Sequence, residues 1–240
     1  MNPIVRIALE EDIGPGDVTT LACVPESQQA RGRFLPREPL IVAGLSVLGE
    51  LYRSVTLHKH DGDRCQDGEV IEEVEGAARA LLERERVALN FLQRLSGVAT
   101  LARQFAEAVE GTGCRVLDTR KTTPGLRALE KAAAAAGGVR NAIEHARSSG
   151  LPIEIEVRTR AELHEALEAG AAHLLLDNLT PTEAADWVRE IAGRARVELS
   201  GGIDLATVRA YAETGADFVS AGAITHSARA MDISFRLELA

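Results

Sequence analysis

Two adjacent cations flanked by hydroxyls, Thr119-Arg120-Lys121-Thr122-Thr123, are the residues of this chain best suited to holding an anion. They open the stretch Asp118–Arg127, directly after the apolar segment Cys114-Arg115-Val116-Leu117, so they stand where a strand gives way to a loop. In α/β architectures ligands bind outside the carboxyl ends of strands. Other apolar segments end in polar groups too. Ile153-Glu154-Ile155-Glu156-Val157 carries two carboxylates two apart, hence on one strand face. Ile153, Ile155 and Val157 occupy the outward face, so in a closed barrel both glutamates point to the lumen, with Glu156 nearer the mouth. Leu174-Leu175-Leu176 runs into Asp177-Asn178, and an Asp so placed can bind Mg²⁺, ribose hydroxyls or a developing positive charge. Thr180, before Pro181 and Glu183, already supplies the next helix cap. The glycines of Ser200-Gly201-Gly202 and of Ala221-Gly222-Ala223 let backbone N–H groups approach a phosphate, and His226 extends the second loop. Cations, carboxylates and a phosphate cradle together suit a phosphorylated sugar with an oxocarbenium-like transition state and an anionic co-substrate. That is an inventory for phosphoribosyl transfer, and it contains no Ser or Cys nucleophile triad.

These groups need a scaffold of parallel strands. Strand-like segments at 114–117, 153–157, 173–176, 196–199 and 217–221 alternate with amphipathic stretches such as Thr182 to Ala192 and Leu205 to Thr214. The last three begin about 21–23 residues apart, the cadence of a (β/α) barrel. Gly170, Gly193 and Gly215 sit where C-terminal caps belong. The interval from 117 to 153 breaks the cadence. It holds the alanine run Ala132 to Ala136, Gly137-Gly138 and a second helical run, but no convincing strand, so a barrel strand is expected to be missing there.

The first hundred residues read differently. Gly32 to Ala43 and Val55 to Lys59 are strand-like, and a helix is predicted from about Ala77 to Leu95, with Leu81, Leu82, Ala88, Leu89, Leu92 and Leu95 in one stripe. Glu85 interrupts that stripe and Arg86 flanks it, which a charge tolerates when it is paired or sits at an interface. Met231, Ile233, Phe235, Leu237 and Leu239 alternate with polar residues as a strand would. The expected class is α/β: an N-terminal α/β sandwich over 1–96, to which a strand at 230–240 returns, and an incomplete parallel (β/α) barrel over 97–229.

Composition narrows the partners. A net charge of -9 argues against bulk nucleic-acid binding, and eight aromatic residues make a poor base-stacking surface. There is no apolar run of the roughly 18–20 residues that span a bilayer, and the start lacks the features of a signal peptide. Cys23, Cys65 and Cys114 show neither disulfide nor metal-ligand spacing, which suits a reducing cytoplasm.

The motifs resemble the quinolinate phosphoribosyltransferase family over nearly the whole chain. They are Glu10-Glu11-Asp12-Ile13-Gly14 with Gly16-Asp17-Val18-Thr19-Thr20, Glu85-Arg86, Leu95-Ser96-Gly97-Val98-Ala99-Thr100, the Asp118–Arg127 stretch, Glu154-Ile155-Glu156-Val157, Leu176-Asp177-Asn178, Ser200-Gly201-Gly202-Ile203 and Gly222-Ala223-Ile224-Thr225-His226-Ser227. The resemblance implies transfer of a phosphoribosyl group from phosphoribosyl pyrophosphate to quinolinate with decarboxylation, in NAD biosynthesis. It implies a homodimer, or a higher oligomer, with shared active sites, in which Arg86 reaches a neighbouring subunit's quinolinate. Arg120, with Thr119 and Lys121 beside it, would hold the dicarboxylate. Ser200, Gly201, Gly202 and Gly222, with His226 nearby, would take the ribose 5-phosphate. Glu156 and Asp177 would meet the ribose hydroxyls, stabilise charge at the anomeric carbon, and hold Mg²⁺ indirectly through pyrophosphate.

One departure stands out. Family members follow the Glu-Lys pair with a segment containing Asn-His-Arg and then a strand ending in Leu-Ile-Lys-Asp-Asn-His. Here Glu130-Lys131 leads through the alanine run to Gly137-Gly138-Val139-Arg140, so the family's substrate-binding His, Arg and Lys have no counterparts. The shortfall is about 25 residues, roughly one βα unit. The alternatives are a related phosphoribosyltransferase acting on another anionic heterocycle, and a non-catalytic phosphosugar-binding accessory protein.

Overall fold

In a computed structural model of the chain, residues 1–139 and 154–240 are described, and they group into two compact units. The first comprises Met1–Thr100, Pro124–Ala136 and Ala228–Ala240. Its elements begin with α1 (Pro3–Ile13), α2 (Val18–Cys23), β1 (Gln29–Pro36), β2 (Leu40–Ile41) and α3 (Leu45–Leu51). They continue with β3 (Ser54–Leu57), β4 (Arg64–Cys65), β5 (Glu72–Ala77) and α4 (Ala78–Ala108). Later chain adds α5 (Arg127–Ala136) and β11 (Ile233–Leu239).

An antiparallel sheet in the order β11-β1-β5-β3 forms the body of this unit. The C-terminal strand therefore pairs with β1. Alternation explains the sheet: Ala30, Gly32 and Phe34 of β1 are buried while Gln29 and Arg31 are exposed. On the outer face Arg31 lies opposite Glu75 and Arg33 opposite Glu73, each pair joined by a charge-assisted bond. Phe34 stacks on Phe235 at 4.8 Å, and with Leu48, Ile71, Leu92 and Leu95 it is fully buried. Truncating any of these aliphatics to Ala would cost about 2–5 kcal/mol.

The long helix α4 does not stop at Leu95, where the sequence reading ended it. Ser96-Gly97 is no break, because both residues are put to use by the packing. The Ser96 hydroxyl accepts from Ala43 N, and a Cβ on Gly97 would lie 1.9 Å from the Arg229 carbonyl oxygen. Only glycine lets that backbone approach the helix so closely. Residues 124–136, which chain order places among the barrel elements, belong to the first unit. There Arg94 on α4 donates from Nη2 to the fully buried Glu130 of α5 at 2.8 Å.

The second unit, Leu101–Thr123 and Gly137–Ser227, holds the parallel strands. They are β6 (Arg115–Leu117), β7 (Glu154–Val157), β8 (His173–Asp177), β9 (Arg196–Ser200) and β10 (Phe218–Ser220). The helices are α6 (Arg160–Glu168), α7 (Pro181–Ile191), α8 (Val208–Ala212) and α9 (Ala223–His226). Sheet order is β6-β10-β9-β8-β7, every pairing parallel. β6 and β7 form opposite edges, and no described strand stands between them, so the barrel is incomplete along that seam. The second helical run expected beyond Gly138, and Ile153, lie outside the described residues.

Local signals set the element ends. Thr159 with Glu162 and Thr180 with Glu183 form capping boxes, the latter with Pro181 in the first turn. The helix read from Leu205 to Thr214 is shorter than expected, because Asp204 and Thr207 bond to each other's side chain and backbone and hold that turn outside the helix. Leu174, Leu176 and Leu199 on the outward strand face, with Leu163 and Ile191 of the helices, are fully buried. No helix among the described residues is long and apolar enough to cross a membrane.

Candidate active site

Period-2 geometry sends Glu154 and Glu156 of β7, His173, Leu175 and Asp177 of β8, Glu198 and Ser200 of β9, and Ser220 of β10 to the face opposite the buried leucines. A cavity of about 540 Å³ opens on this face. Of the residues singled out in the sequence, Thr119, Arg120, Lys121, Ser200, Gly201, Gly202, Gly222 and His226 line it.

The loops are fixed by specific contacts. Lys121 N donates to Thr119 Oγ1 at 3.1 Å, and Thr225 Oγ1 donates to the Lys121 carbonyl at 2.8 Å, tying the post-β6 loop to α9. A Cβ on Gly222 would sit 3.1 Å from both the His226 and the Lys121 side chains, so glycine lets these two approach each other closely there. The His226 Nδ1 shares a 2.6 Å hydrogen bond with Ser227 Oγ. Gly201 has φ +103°, and a Cβ there would lie 2.3 Å from Asn178 Oδ1. Asn178 itself is left-handed, donates from its backbone to the Ser200 carbonyl at 2.9 Å and from Nδ2 to Asp177 Oδ2 at 2.6 Å. The glycine therefore seats the loop that orients Asp177.

Glu156 and Asp177 stand together at the carboxyl ends of neighbouring strands but outside the cavity lining. Arg158 connects them, donating to Glu156 Oε1 and lying 4.0 Å from Asp177 Oδ2. Arg86 belongs to the first unit, where its exposed guanidinium lies 4.0 Å from Asp12 Oδ1. Neighbouring Glu85 is half-buried, and burial raises its carboxyl above the ordinary range.

The sequence reading passed over four groups on this face. Glu198 and Ser220 line the cavity with Glu154, whereas Glu156, nearer the mouth, does not. His173 lies beside Glu198, and Arg158 follows Val157. The signal for Glu198 and His173 was present: each is an even number of residues before Ser200 or Asp177, hence on the same face. Burial pushes Glu198 well above the usual carboxylate range; the Ser220 hydroxyl, which donates to its Oε1, pulls it down, and Glu154 pushes it up again.

Comparison with known proteins adds lineage to this geometry. The model of the quinolinate phosphoribosyl transferase N-terminal domain matches residues 17–96. That of the C-terminal domain matches in two pieces, 98–146 and 134–236. A probable nicotinate-nucleotide pyrophosphorylase (carboxylating) of Bacillus subtilis is 37% identical over 95% of this chain and 90% of its own length. The nicotinate-nucleotide pyrophosphorylase (carboxylating) of Mycobacterium leprae is 37% identical over 97% and 95%. The solved nicotinate-nucleotide pyrophosphorylase of Ehrlichia chaffeensis superposes with a TM-score of 0.90 at 32% identity, covering 98% of this chain and 97% of that one. The Bacillus alignment spans 262 positions while drawing on 95% of a 240-residue chain, so that relative carries roughly thirty residues, about one βα unit, without counterpart here. The two pieces of the C-terminal match overlap over 134–146, starting within the alanine run where the cadence fails.

Proposed function

The chain belongs to the quinolinate phosphoribosyltransferase family, and on that premise we propose that its second unit joins the phosphoribosyl group of phosphoribosyl pyrophosphate to quinolinate, releasing pyrophosphate and CO₂ and forming nicotinate mononucleotide. The observation that supports this reading most directly is one cavity lined by Arg120, Lys121, the Ser200–Gly202 loop, Gly222 and His226. Arg120, with Thr119 and Lys121, takes the dicarboxylate through charge-assisted bonds. Ser200, Gly201, Gly202 and Gly222, with His226 beside them, take the 5-phosphate.

The quinolinate nitrogen attacks the anomeric carbon as the bond from that carbon to pyrophosphate breaks, the electron pair leaving with pyrophosphate. Glu156 and Asp177 hold the ribose hydroxyls and stabilise the positive charge that develops at the anomeric carbon. The C–C bond to the carboxylate beside the nitrogen then breaks. CO₂ departs, the pyridinium accepts the electron pair, and the ring carbon is quenched by a proton from water.

Two carboxylates at adjacent strand ends are a hard-oxygen donor pair that fits Mg²⁺ held together with substrate phosphates. When bound, the ion neutralises charge on the leaving pyrophosphate; Glu156 and Asp177 would hold it through pyrophosphate rather than enclose it. We place Arg86 in a homodimer with shared sites, where its exposed guanidinium serves the partner's quinolinate, and the protein in the cytoplasm. Incubating the protein with quinolinate, phosphoribosyl pyrophosphate and Mg²⁺ and following CO₂ and nicotinate mononucleotide tests the activity. Phosphosugar binding without turnover would overturn it in favour of an accessory role.

A further inference from the structure

Beyond the transfer site, three metal-ligating side chains meet on neighbouring strands. Glu154 opens β7, His173 opens β8 directly opposite it in register, and Glu198 stands in the middle of β9. One donor atom from each lies within 4.8 Å of the other two. His173 and Glu198 are buried, and Glu154 and Glu198 line the cavity, so an ion could enter from that side.

We propose that Glu154, His173 and Glu198 bind one divalent transition-metal ion, on the same strand face as Glu156 and Asp177 and with Glu154 and His173 nearer the amino ends of their strands. Three observations lead there. The 3.6 Å between His173 Nε2 and Glu198 Oε2 is too long for a hydrogen bond. It is little more than the edge, about 3.0–3.5 Å, of a coordination shell with bonds of about 2.0–2.2 Å. The Ser220 hydroxyl donates to Glu198 Oε1, which fixes the carboxylate and leaves Oε2 turned to the imidazole, as groups behind a metal ligand do. The donor set, one imidazole nitrogen and two carboxylates, suits Mn²⁺, Fe²⁺ or Zn²⁺, whereas Mg²⁺ favours oxygen alone. A bound cation would also offset two carboxylates held close together in a poorly solvated place. With three protein ligands, further positions are left for water facing the cavity.

The test needs no catalysis. Chelator-treated, dialysed full-length protein is titrated with Mn²⁺, the signal of the free ion being read by electron paramagnetic resonance, with Zn²⁺ as competitor and no substrate present. One Mn²⁺ per chain, displaced by Zn²⁺, is expected. Glu198→Gln keeps the shape of the side chain and its bond from Ser220, and it should weaken binding at least about 10-fold, as should His173→Leu. Glu156→Gln and Asp177→Asn should leave it within a factor of about 2. Thermal unfolding of each apo variant checks its fold, and Zn²⁺ should raise the melting temperature of the native protein but not of Glu198→Gln. Absence of saturable binding, binding unchanged in both Glu198→Gln and His173→Leu, or binding lost with Asp177→Asn would each overturn the proposal. The second outcome would mean that the three side chains meet without an ion between them.

Discussion

Arg158 donates to a single oxygen of Glu156, from Nε at 2.8 Å and from Nη2 at 2.5 Å, while its Nε lies 4.0 Å from Asp177 Oδ2. A guanidinium thus stands between two carboxylates assigned to the sugar, on a side chain that is 69% exposed. It blunts their repulsion toward a polyanionic donor. Replacing Arg158 by Ala should raise the KM for phosphoribosyl pyrophosphate roughly 10-fold, about 1.4 kcal/mol. The kcat should change by less than about 3-fold, and Arg158→Lys should fall between. Steady-state kinetics at saturating quinolinate decide it; an unchanged KM in the alanine variant removes Arg158 from donor binding.

In the proposed reaction Arg120, which lines the cavity, is the cation that takes the dicarboxylate. Its loss deletes a charge-assisted, bidentate contact, and Arg120→Ala should lower kcat/KM for quinolinate by about 100-fold or more, roughly 3 kcal/mol. Phosphoribosyl pyrophosphate binding, measured by calorimetry, should stay within about 3-fold. An equal loss for both substrates would show that Arg120 serves the phosphates instead.

Gly201 and Gly202 differ in what surrounds them. A methyl group on Gly201 collides with Asn178 as well as straining a φ of +103°, whereas one on Gly202, at φ +62°, meets nothing within 4 Å. Gly201→Ala should therefore cost about 1–3 kcal/mol in stability and, by moving Asn178 away from Asp177, at least about 10-fold in kcat. Gly202→Ala should cost about 1 kcal/mol, from backbone strain alone. Denaturant melts and initial rates on both variants check the contrast; similar losses would mean that the Asn178 contact is unimportant.

Glu72 is fully buried on β5, and neither of its oxygens has a hydrogen-bond partner among the described residues. Burial, with Asp61 adding to it, pushes its carboxyl up to about 8. A folded value above the unfolded one means that the native state keeps a proton that the unfolded state gives up. The stabilising contribution is complete below about pH 4.3 and is lost as pH rises toward 8, by up to about 5 kcal/mol. Glu72→Gln should flatten this decline and leave the protein more stable at pH 8 than the native chain. Urea melts at pH 5, 6.5 and 8 test it, and parallel slopes for both proteins would contradict the assignment.

Much of the scaffold was legible because its signals are local. The cap at Thr180, the alternation of β11 and the late strand cadence are properties of spacing along the chain, which can be read without knowing the fold. The end of α4 was not legible. Ser96-Gly97 looks like a stop until the Arg229 carbonyl, far away in sequence, is seen resting on the glycine. Nor did the sequence tell that α5 belongs to the first unit, where Glu130 is buried against Arg94 of α4, a partner distant in the chain.

The same division runs through the site. By itself the sequence determined which residue types end each strand: Arg120 and Lys121 after β6, Asp177 after β8, the glycines after β9 and β10. Motif order and strand period are one-dimensional properties. Only the tertiary structure decided which of these groups share a cavity, that Arg158 links Glu156 to Asp177, and that Glu154, His173 and Glu198 converge. Those are matters of register between strands whose partners are distant in the chain, and register is set by packing across the sheet rather than along it.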